Sequence, residues 1–352
     1  MNQDVVLLFF LWQRYFTILS LYKKYLYQSW PLTSYHKNDL SIMNVGFPDM
    51  TCVLHFSTFC SNQDVLLSGE YPDNCLYWNL VFYDTFGRAF SSVEQSDFPS
   101  RSYQVLVSQK KSLRKNIHVV APPTKYFCVV QRIFSVPYTI LFPTYLPSIT
   151  YCDKSGVYSV CPTTRVQDSI EFQKIFYTLS SFGNNYISKT LNDQVNLHDF
   201  FLPGRNYMER FFSNPTAMML FAFPKRGKLM KIKGSLPNIG QNCFLQYISF
   251  LTCDFRTTAT DECIPYFELP CEYEMYVSDN RMALYKEGYE HTLSWNPSTK
   301  SPVFVMCLVF SSFHSVTPCQ FMKTRDPVDA IELRKWFGDI IPWIYHESSK
   351  KK

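Results

Sequence analysis

The stretch LLSGEYPDNCLYWNLVFYD at residues 66–84 has a counterpart in KIKGSLPNIGQNCFLQYISFLTCD at residues 231–254. Each passage contains Gly-x-x-Pro, crosses a short polar loop and then follows an aromatic-rich run to a terminal Asp. Aromatic and β-branched residues favour β-strands, and Gly and Pro punctuate the turns between them. The repetition therefore predicts two related β-domains in one chain.

Markers of the repeat keep a constant spacing of 165 residues: Thr51, Gly69 and Pro72 correspond to Thr216, Gly234 and Pro237. Beyond the polar loop the spacing becomes 170 residues, so that SYQVLVS at 102–108 aligns with EYEMYVS at 272–278. Near the end of each copy, YFCVVQRIF at 126–134 aligns with PVFVMCLVF at 302–310. Insertions confined to loops are typical of diverged domains that keep their strands.

About six short strands in each copy, separated by turn residues, predict an all-β fold. We expect two tandem, related antiparallel β-sandwich or jelly-roll-like domains. YWNLVFY and PVFVMCLVF are nearly continuous apolar runs, so they predict central strands buried on both faces. KLMKIK at 228–233 alternates instead, which predicts Lys231 and Lys233 on the outer face of a sheet.

The predicted segments follow from this alignment and from two helical patterns. A capping box at Thr164 and Gln167 opens an amphipathic helix that ends at Gly183. Asp326-Pro327 opens a second helix that runs to Gly338 and beyond. The segments are an apolar N-terminal helix at 1–30, a first sandwich at 44–145, a helical connector at 146–211, a second sandwich at 212–320 and a C-terminal helix at 326–345.

The apolar N-terminus leaves three structures open. Residues 5–22 are just long enough to span a bilayer as a helix, although Gln13 and Arg14 lie in the middle. One polar stripe follows the helix at Gln13, Thr17, Ser20 and Lys24, which suits a helix lying on a membrane or packed on the protein. We expect membrane association through residues 5–22 with the bulk of the chain in the cytoplasm. A soluble cytoplasmic protein is the alternative.

Charge and cysteine content exclude several classes of function. The net charge is +5, and three of these charges belong to the terminal run 350–352, so the sequence does not predict a nucleic-acid partner. The 12 Cys residues include no C-x-x-C pair, which argues against a zinc knuckle, and no metal or other cofactor is predicted. A homo-oligomer or another protein is the expected partner.

The motifs together resemble a known group of proteins. Gly-x-x-Pro, YWNLVFYDTFG, YQVLVS and APPTKYFCVVQRIF are similar to motifs of the tandem proteins that join domain-of-unknown-function families 1254 and 1214. Such proteins occur in bacteria, and similar ones occur in large DNA viruses, which YISFLTCDFRTTATD and LSWNPSTKSPVFVM resemble more. The resemblance covers about residues 44–310 and implies two jelly-roll-like sandwiches without an established reaction. The Pro-Asn-x-Asp-Thr loop of the bacterial members is replaced here by FPDMTCV and SNPTAMM.

Several residues are candidates for a ligand site. Asp84 and Asp254 end equivalent strands, where they could anchor a ligand or form Asx-turns. His118 and His291 lie in matching strands, and Cys263 with His291 could supply a nucleophile and a base. Trp78 and Trp295 are candidates for stacking on a ligand.

The motifs of common enzyme classes are missing. The sequence contains no G-x-S-x-G, P-loop, H-E-x-x-H or G-x-G-x-x-G pattern. It therefore favours a non-catalytic structural or interaction protein over an enzyme. Two alternatives stay open. A hydrolase-like enzyme with a site between the domains requires titratable side chains that converge in one cleft, and a small-ligand or glycan-binding protein requires exposed aromatic side chains.

Overall fold

The structure is a computed structural model. It describes residues 12, 15–16, 19–23, 26, 32–34, 49, 51–73, 75–109, 117–135, 145–152, 158–160, 195–203, 216–225, 227–239, 245–256, 259–311 and 327–348. The chain divides into two compact units, each with its own hydrophobic core. The first comprises Met1–Met43, Thr51–Ile175 and Arg210–Pro215, and the second comprises Asn44–Met50, Phe176–Glu209 and Thr216–Lys352.

The first unit is a sandwich of two five-stranded sheets, ordered β1-β2-β8-β4-β5 and β10-β9-β3-β6-β7. Its strands are β1 (Leu32–Ser34), β2 (Cys52–Cys60), β3 (Asp64–Glu70), β4 (Cys75–Tyr83), β5 (Ala89–Glu94), β6 (Ser102–Ser108), β7 (Ile117–Val120), β8 (Tyr126–Ser135), β9 (Ser148–Cys152) and β10 (Tyr158–Val160). Its core is formed by inward side chains of both sheets, among them Trp78, Phe127 and Tyr103.

The second unit is a sandwich of two four-stranded sheets, ordered β11-β17-β13-β14 and β16-β15-β12-β18. Its strands and helices are β11 (Ala217–Ala222), β12 (Lys228–Ser235), β13 (Leu245–Asp254), β14 (Thr260–Pro265), β15 (Glu272–Ser278), α1 (Arg281–Lys286), β16 (Thr292–Ser294), β17 (Pro302–Phe310), α2 (Ala330–Phe337) and β18 (Trp343–Ser348). Leu333 and Phe337 of α2 are buried in the core of this unit.

The two units repeat one topology. The order β2-β8-β4-β5 of the first unit recurs as β11-β17-β13-β14, and β9-β3-β6-β7 recurs as β18-β12-β15-β16. Strands β6 and β15 start and end at the residues that the 170-residue spacing predicts. The predicted all-β fold of two tandem sandwiches is therefore confirmed. One pair in each unit departs from the purely antiparallel prediction, because β6–β7 and β15–β16 are parallel.

The repeated Gly has a packing role in each unit. Gly69 lies opposite Tyr103 in the β3–β6 ladder, and Gly234 lies opposite Tyr273 in the β12–β15 ladder. A Cβ atom on Gly69 would lie 2.8 Å from the Tyr103 hydroxyl oxygen, and one on Gly234 would lie 2.7 Å from that of Tyr273. Each tyrosine thus lies across a glycine of the neighbouring strand. This explains why both copies keep Gly at that position.

The central strands are buried on both faces, as their apolar runs predict. Every residue of β4 from Tyr77 to Tyr83 is buried, and so is every residue of β17 from Val303 to Phe310. The alternation of β12 also appears, with Met230 and Ile232 in the core and Lys231 and Lys233 on the outer face.

The described part of the N-terminal helix packs against the first unit at its C-terminal end. Residues 12, 15–16 and 19–23 are helical, and Leu21 and Tyr22 are buried. The Tyr22 hydroxyl donates a hydrogen bond to the carbonyl oxygen of Asp84 at 2.9 Å. Within the described residues there is no helix with the length and apolarity that crossing a membrane requires. Most of the predicted apolar segment, residues 5–11 included, lies outside the described residues.

Several predicted boundaries differ from the structure. The helix predicted at 326–345 is restricted to Ala330–Phe337, and Trp343–Ser348 forms strand β18. Gly338, with φ of 55°, and Pro342 end the helix, and the alternating run that follows pairs with β12. Residues 148–160, predicted in the connector, supply β9 and β10 to the first sandwich, while residues 44–50 belong to the second unit. The connector helix predicted from Thr164 to Gly183 lies outside the described residues.

Candidate functional site

Asp84 and Asp254 occupy matching hairpin turns. One carboxylate oxygen of Asp84 accepts hydrogen bonds from the backbone N–H groups of Phe86 at 2.8 Å and Arg88 at 3.0 Å. The same atom of Asp254 accepts one from the N–H of Arg256 at 2.9 Å. These bonds are those of Asx-turns, so the two carboxylates are used to close hairpins.

The two candidate tryptophans are core residues. Trp78 is fully buried, with its ring centroid 4.5 Å from that of Tyr103. Trp295 is 5% exposed and donates its indole N–H to the carbonyl oxygen of Val303 at 3.1 Å. The structure therefore places both predicted stacking residues in the hydrophobic cores and not on a surface open to a ligand.

The candidate histidines are half-buried and lie in separate units. His118 on β7 shares a 2.9 Å hydrogen bond with the hydroxyl of Ser108. His291 precedes β16, and its carbonyl oxygen accepts a hydrogen bond from the N–H of Tyr276 at 2.9 Å. Both residues therefore support the parallel strand pair at the sheet edge.

Cys263, the candidate nucleophile, lies beside a buried acid. Its thiol donates to Asp49 Oδ1 at 3.5 Å, and the hydroxyl of Ser249 donates to Asp49 Oδ2. Asp49, the acid of the loop FPDMTCV, is 8% exposed. These hydrogen bonds tie Asp49 to β13 and β14 of the second unit. Among the described residues, no group of three or more His, Cys, Asp or Glu side chains is arranged to hold a metal ion.

A buried polar group lies on the outer face of the first unit's β4–β5 hairpin. The hydroxyl of Tyr77 donates to Glu94 Oε2 at 3.0 Å, and Asn79 Nδ2 donates to the Tyr77 hydroxyl at 3.3 Å. All three residues are at most 3% exposed. Because polar groups removed from water require partners, this network satisfies buried groups and does not present a surface to a ligand.

The open outer face of the β12–β15–β18 sheet has a different character. Tyr345, Lys231 and Tyr276 lie side by side across the three strands, and the next row contains Trp343, Lys233 and Glu274. Trp343 and Tyr345 are 53% and 47% exposed. We call these six residues the aromatic face. Residues two apart on a strand lie roughly 7 Å from each other, so the two rows form one continuous surface.

The indole of Trp343 is supported from one side. The guanidinium of Arg334 lies 3.9 Å from the ring centroid. Arg334 donates two hydrogen bonds to the carboxylate of Asp199, at 2.9 and 3.0 Å, and one to the carbonyl oxygen of Pro342 at 2.7 Å. A cation held by a bidentate pair orients the aromatic ring above it. One side of Trp343 is therefore fixed while half of the side chain stays accessible.

A charged pair and a second ring stack occupy the other side of the aromatic face. The Lys231 ammonium lies 2.7 Å from Glu274 Oε1, and the Tyr276 hydroxyl donates to the same carboxylate oxygen. The ring of Tyr276 stacks on Tyr289 with centroids 3.7 Å apart. The hydrogen bond to Glu274 raises the pKa of Lys231, and the bond from Lys231 lowers the pKa of Glu274. Both groups are thus held in their charged forms at neutral pH.

The first unit provides an internal comparison. Leu66 and Ser68 on β3 match Lys231 and Lys233, and their neighbours on the same face are Thr150, Leu106, Ser148 and Gln104. This face of the first unit contains neither an aromatic ring nor a charge at these six positions. Because the topology is the same, the fold does not require aromatic or charged side chains at these positions.

The sequence carried a partial signal for this site. The alternation of KLMKIK places the two lysines outward, as predicted. Trp343 and Tyr345 in WIYHES show the period of two that strands have. Because the segment directly follows a helical pattern, it was included in the predicted helix. Trp343 and Tyr345, the two most exposed rings of the aromatic face, were therefore not identified as candidates.

Comparisons with known proteins bear on the fold. No family model matches the chain, and no curated protein matches it. A solved structure of an uncharacterised protein from Burkholderia cenocepacia is similar with a TM-score of 0.57 and 9% identity, over 96% of this chain and 87% of that chain. A structure from Vibrio parahaemolyticus gives a TM-score of 0.45 and 8% identity, over 80% and 89%. The first likeness is one of fold alone, and the second is too low to support an argument.

Proposed function

We propose that this protein is a non-catalytic interaction protein whose second sandwich binds a glycan on the aromatic face. The observation that carries the proposal is the exposed pair Trp343 and Tyr345 beside Lys231, Lys233 and Glu274 on one open sheet face. A sugar ring has an apolar face of C–H groups and a rim of hydroxyls that donate and accept hydrogen bonds. Aromatic rings complement the former, and ammonium and carboxylate groups complement the latter.

The electrostatics of the aromatic face favour binding over acid–base catalysis. A general acid or base works best with a pKa near the working pH. The hydrogen bond between Lys231 and Glu274 moves the pKa of each group away from neutrality. Two groups fixed in their charged forms are suited to hydrogen bonding with hydroxyl groups, and they are poor proton carriers.

A glycan array probed with the full-length protein tests this function. We expect binding to be reduced about tenfold or more in Trp343→Ala and Tyr345→Ala, because truncating a central aromatic contact costs about 2 kcal/mol. Ser148→Ala and Thr150→Ala, at the matching positions of the first unit, are the controls and should bind like the parent. Circular dichroism in the near ultraviolet checks that each variant keeps its fold.

Two results would overturn the glycan proposal. The first is a folded parent protein that binds no glycan on the array. The second is binding that persists unchanged in the double variant Trp343→Ala/Tyr345→Ala. Single-stranded oligonucleotides serve as a further probe, since aromatic rings beside lysines also suit stacked bases. If the protein binds these oligonucleotides and no sugar, the aromatic face is a site for single-stranded nucleic acid instead.

We also propose that the chain is a diverged member of the tandem group of families 1254 and 1214, encoded by a large DNA virus. The support is the resemblance of the motifs together with the Gly–Tyr pair that both units share. A structure of a member of that group with a strand order other than β2-β8-β4-β5 would reject the membership. Sequencing the genome around the coding region would test the viral source.

A further inference from the structure

The N-terminal helix is fixed at one end to the outer face of the first unit. Tyr22 is fully buried, its ring centroid lies 6.4 Å from that of Phe56, and its hydroxyl is bonded to the Asp84 carbonyl. The hydroxyl of Thr58 donates to the Tyr22 carbonyl oxygen at 3.2 Å. These contacts hold the helical residues around Tyr22 on the sheet.

Nearer the N-terminus, the described helical residues display aromatic rings. Trp12, Phe16 and Tyr15 follow one another in contact, with centroids 5.4 and 5.5 Å apart, and Tyr15 contacts Phe86 of the β4–β5 hairpin at 5.0 Å. Trp12 is 60% exposed, Phe16 52% and Phe86 43%. We call these four residues the aromatic ridge. Three large exposed rings in one contiguous patch are unusual for a surface that faces only water.

We propose that the aromatic ridge docks into the interfacial layer of a lipid bilayer, with the helix and the hairpin acting together. Trp, Tyr and Phe are the residues that favour the boundary between headgroups and acyl chains. The run VVLLFFL at residues 5–11 leads directly into Trp12, so the chain that enters the ridge is apolar without interruption. The guanidinium of Arg88 lies 5.7 Å from the ring of Phe86, where it can meet a lipid phosphate.

The exposed rings and the neighbouring guanidinium of Arg88 together indicate which partner covers the aromatic ridge. A lipid layer suits the described residues, because its interfacial zone accommodates the exposed rings and its phosphates can pair with the guanidinium of Arg88. The docking differs from a membrane span, because Leu21 and Tyr22 are held in the protein and because Phe86 takes part. This inference is independent of the glycan proposal.

Vesicle flotation of the full-length protein tests the docking. Phosphatidylcholine vesicles, with and without phosphatidylserine, are the probes. We expect the parent to float, more strongly with phosphatidylserine, and to be released by carbonate. Phe86→Ala should reduce the floated fraction about tenfold, as expected for the loss of one buried aromatic side chain. Met282→Ala, which removes an exposed hydrophobic side chain of the second unit, should have no effect.

Phe86→Ala separates the alternatives because Phe86 lies on the protein surface, outside the helix. A parent that does not float overturns the proposal. So does a Phe86→Ala variant that floats like the parent, or a parent that resists carbonate, since both results point to the helix alone as the anchor. If sedimentation shows a dimer that Phe86→Ala dissociates in the absence of lipid, the ridge is a contact between copies instead.

Discussion

Replacing Gly69 with Ala tests whether the repeated glycine exists to accommodate a tyrosine. The added Cβ would lie 2.8 Å from the hydroxyl oxygen of Tyr103 and 3.1 Å from its ring carbon Cζ, inside the 3.4 Å at which ordinary contact begins. Tyr103 is 2% exposed, so its ring has little room to move. Overpacking of this kind costs about 1–3 kcal/mol, of which about 0.5–1 kcal/mol is offset by the lower backbone entropy of Ala. We expect a net loss of about 1–2 kcal/mol.

The double variant Gly69→Ala/Tyr103→Phe isolates the cause. The buried hydroxyl of Tyr103 has no hydrogen-bond partner among the described residues, so Tyr103→Phe alone should be close to neutral. Removing the hydroxyl also removes the closest contact of the new Cβ. The cost of Gly69→Ala should therefore fall by about 1 kcal/mol when it is measured in the Tyr103→Phe variant, a coupling that a double-mutant cycle measures.

The second unit supplies a matched control for this cycle. A Cβ on Gly234 would meet the Tyr273 hydroxyl at 2.7 Å and also the Pro342 Cβ at 2.8 Å. Tyr273→Phe should therefore rescue Gly234→Ala only in part. Hydrogen exchange of peptides that cover β3 and β6, or β12 and β15, assigns each effect to its unit, because two units need not unfold as one. Equal stability of Gly69→Ala and the parent, or an equal cost in both backgrounds, would refute the packing argument.

Three further outcomes follow from the structure. Burial lowers the pKa of His55 to about 3 in the folded protein. As the pH falls below about 6.5, His55 is therefore protonated in the unfolded chain but not in the folded one, and stability decreases by at most about 1.4 kcal/mol per pH unit. His55→Gln should flatten the pH dependence of urea unfolding between about pH 7 and pH 5, and an unchanged slope contradicts this. Arg334→Lys loses the bidentate hydrogen bond to Asp199. Amide hydrogen exchange in β18 should therefore be faster, while exchange in β17 should stay unchanged. Unchanged exchange in β18 would show that Arg334 does not stabilise this strand. Burial raises the pKa of the thiols of Cys75, Cys128 and Cys253, so exposed Cys271 should be alkylated well before them in the native protein. Mass spectrometry that finds the reverse order of alkylation would contradict this burial.

The repeat and its strands could be predicted from local patterns. Hydrophobic period and turn residues act over a few positions, so YWNLVFYD and YISFLTCD revealed equivalent buried strands, and KLMKIK revealed which lysines face outward. Gly338 also marks the end of helix α2 locally, because a positive φ there favours glycine, but the prediction continued the helix past it to residue 345. Strand β18 was missed since its identity depends on pairing with β12, which lies far earlier in the chain.

Sequence by itself determined the fold class, the duplication and the burial of the central strands, because these depend on the period and composition of short segments. Only the tertiary structure decided which candidates have access to solvent. It placed Trp78 and Trp295 in the cores and made Asp84 and Asp254 turn residues. It also joined Trp343 to Lys233, and Tyr15 to Phe86, across long stretches of chain. The physical reason is that exposure and convergence depend on which strands become neighbours, and non-local pairing sets that choice.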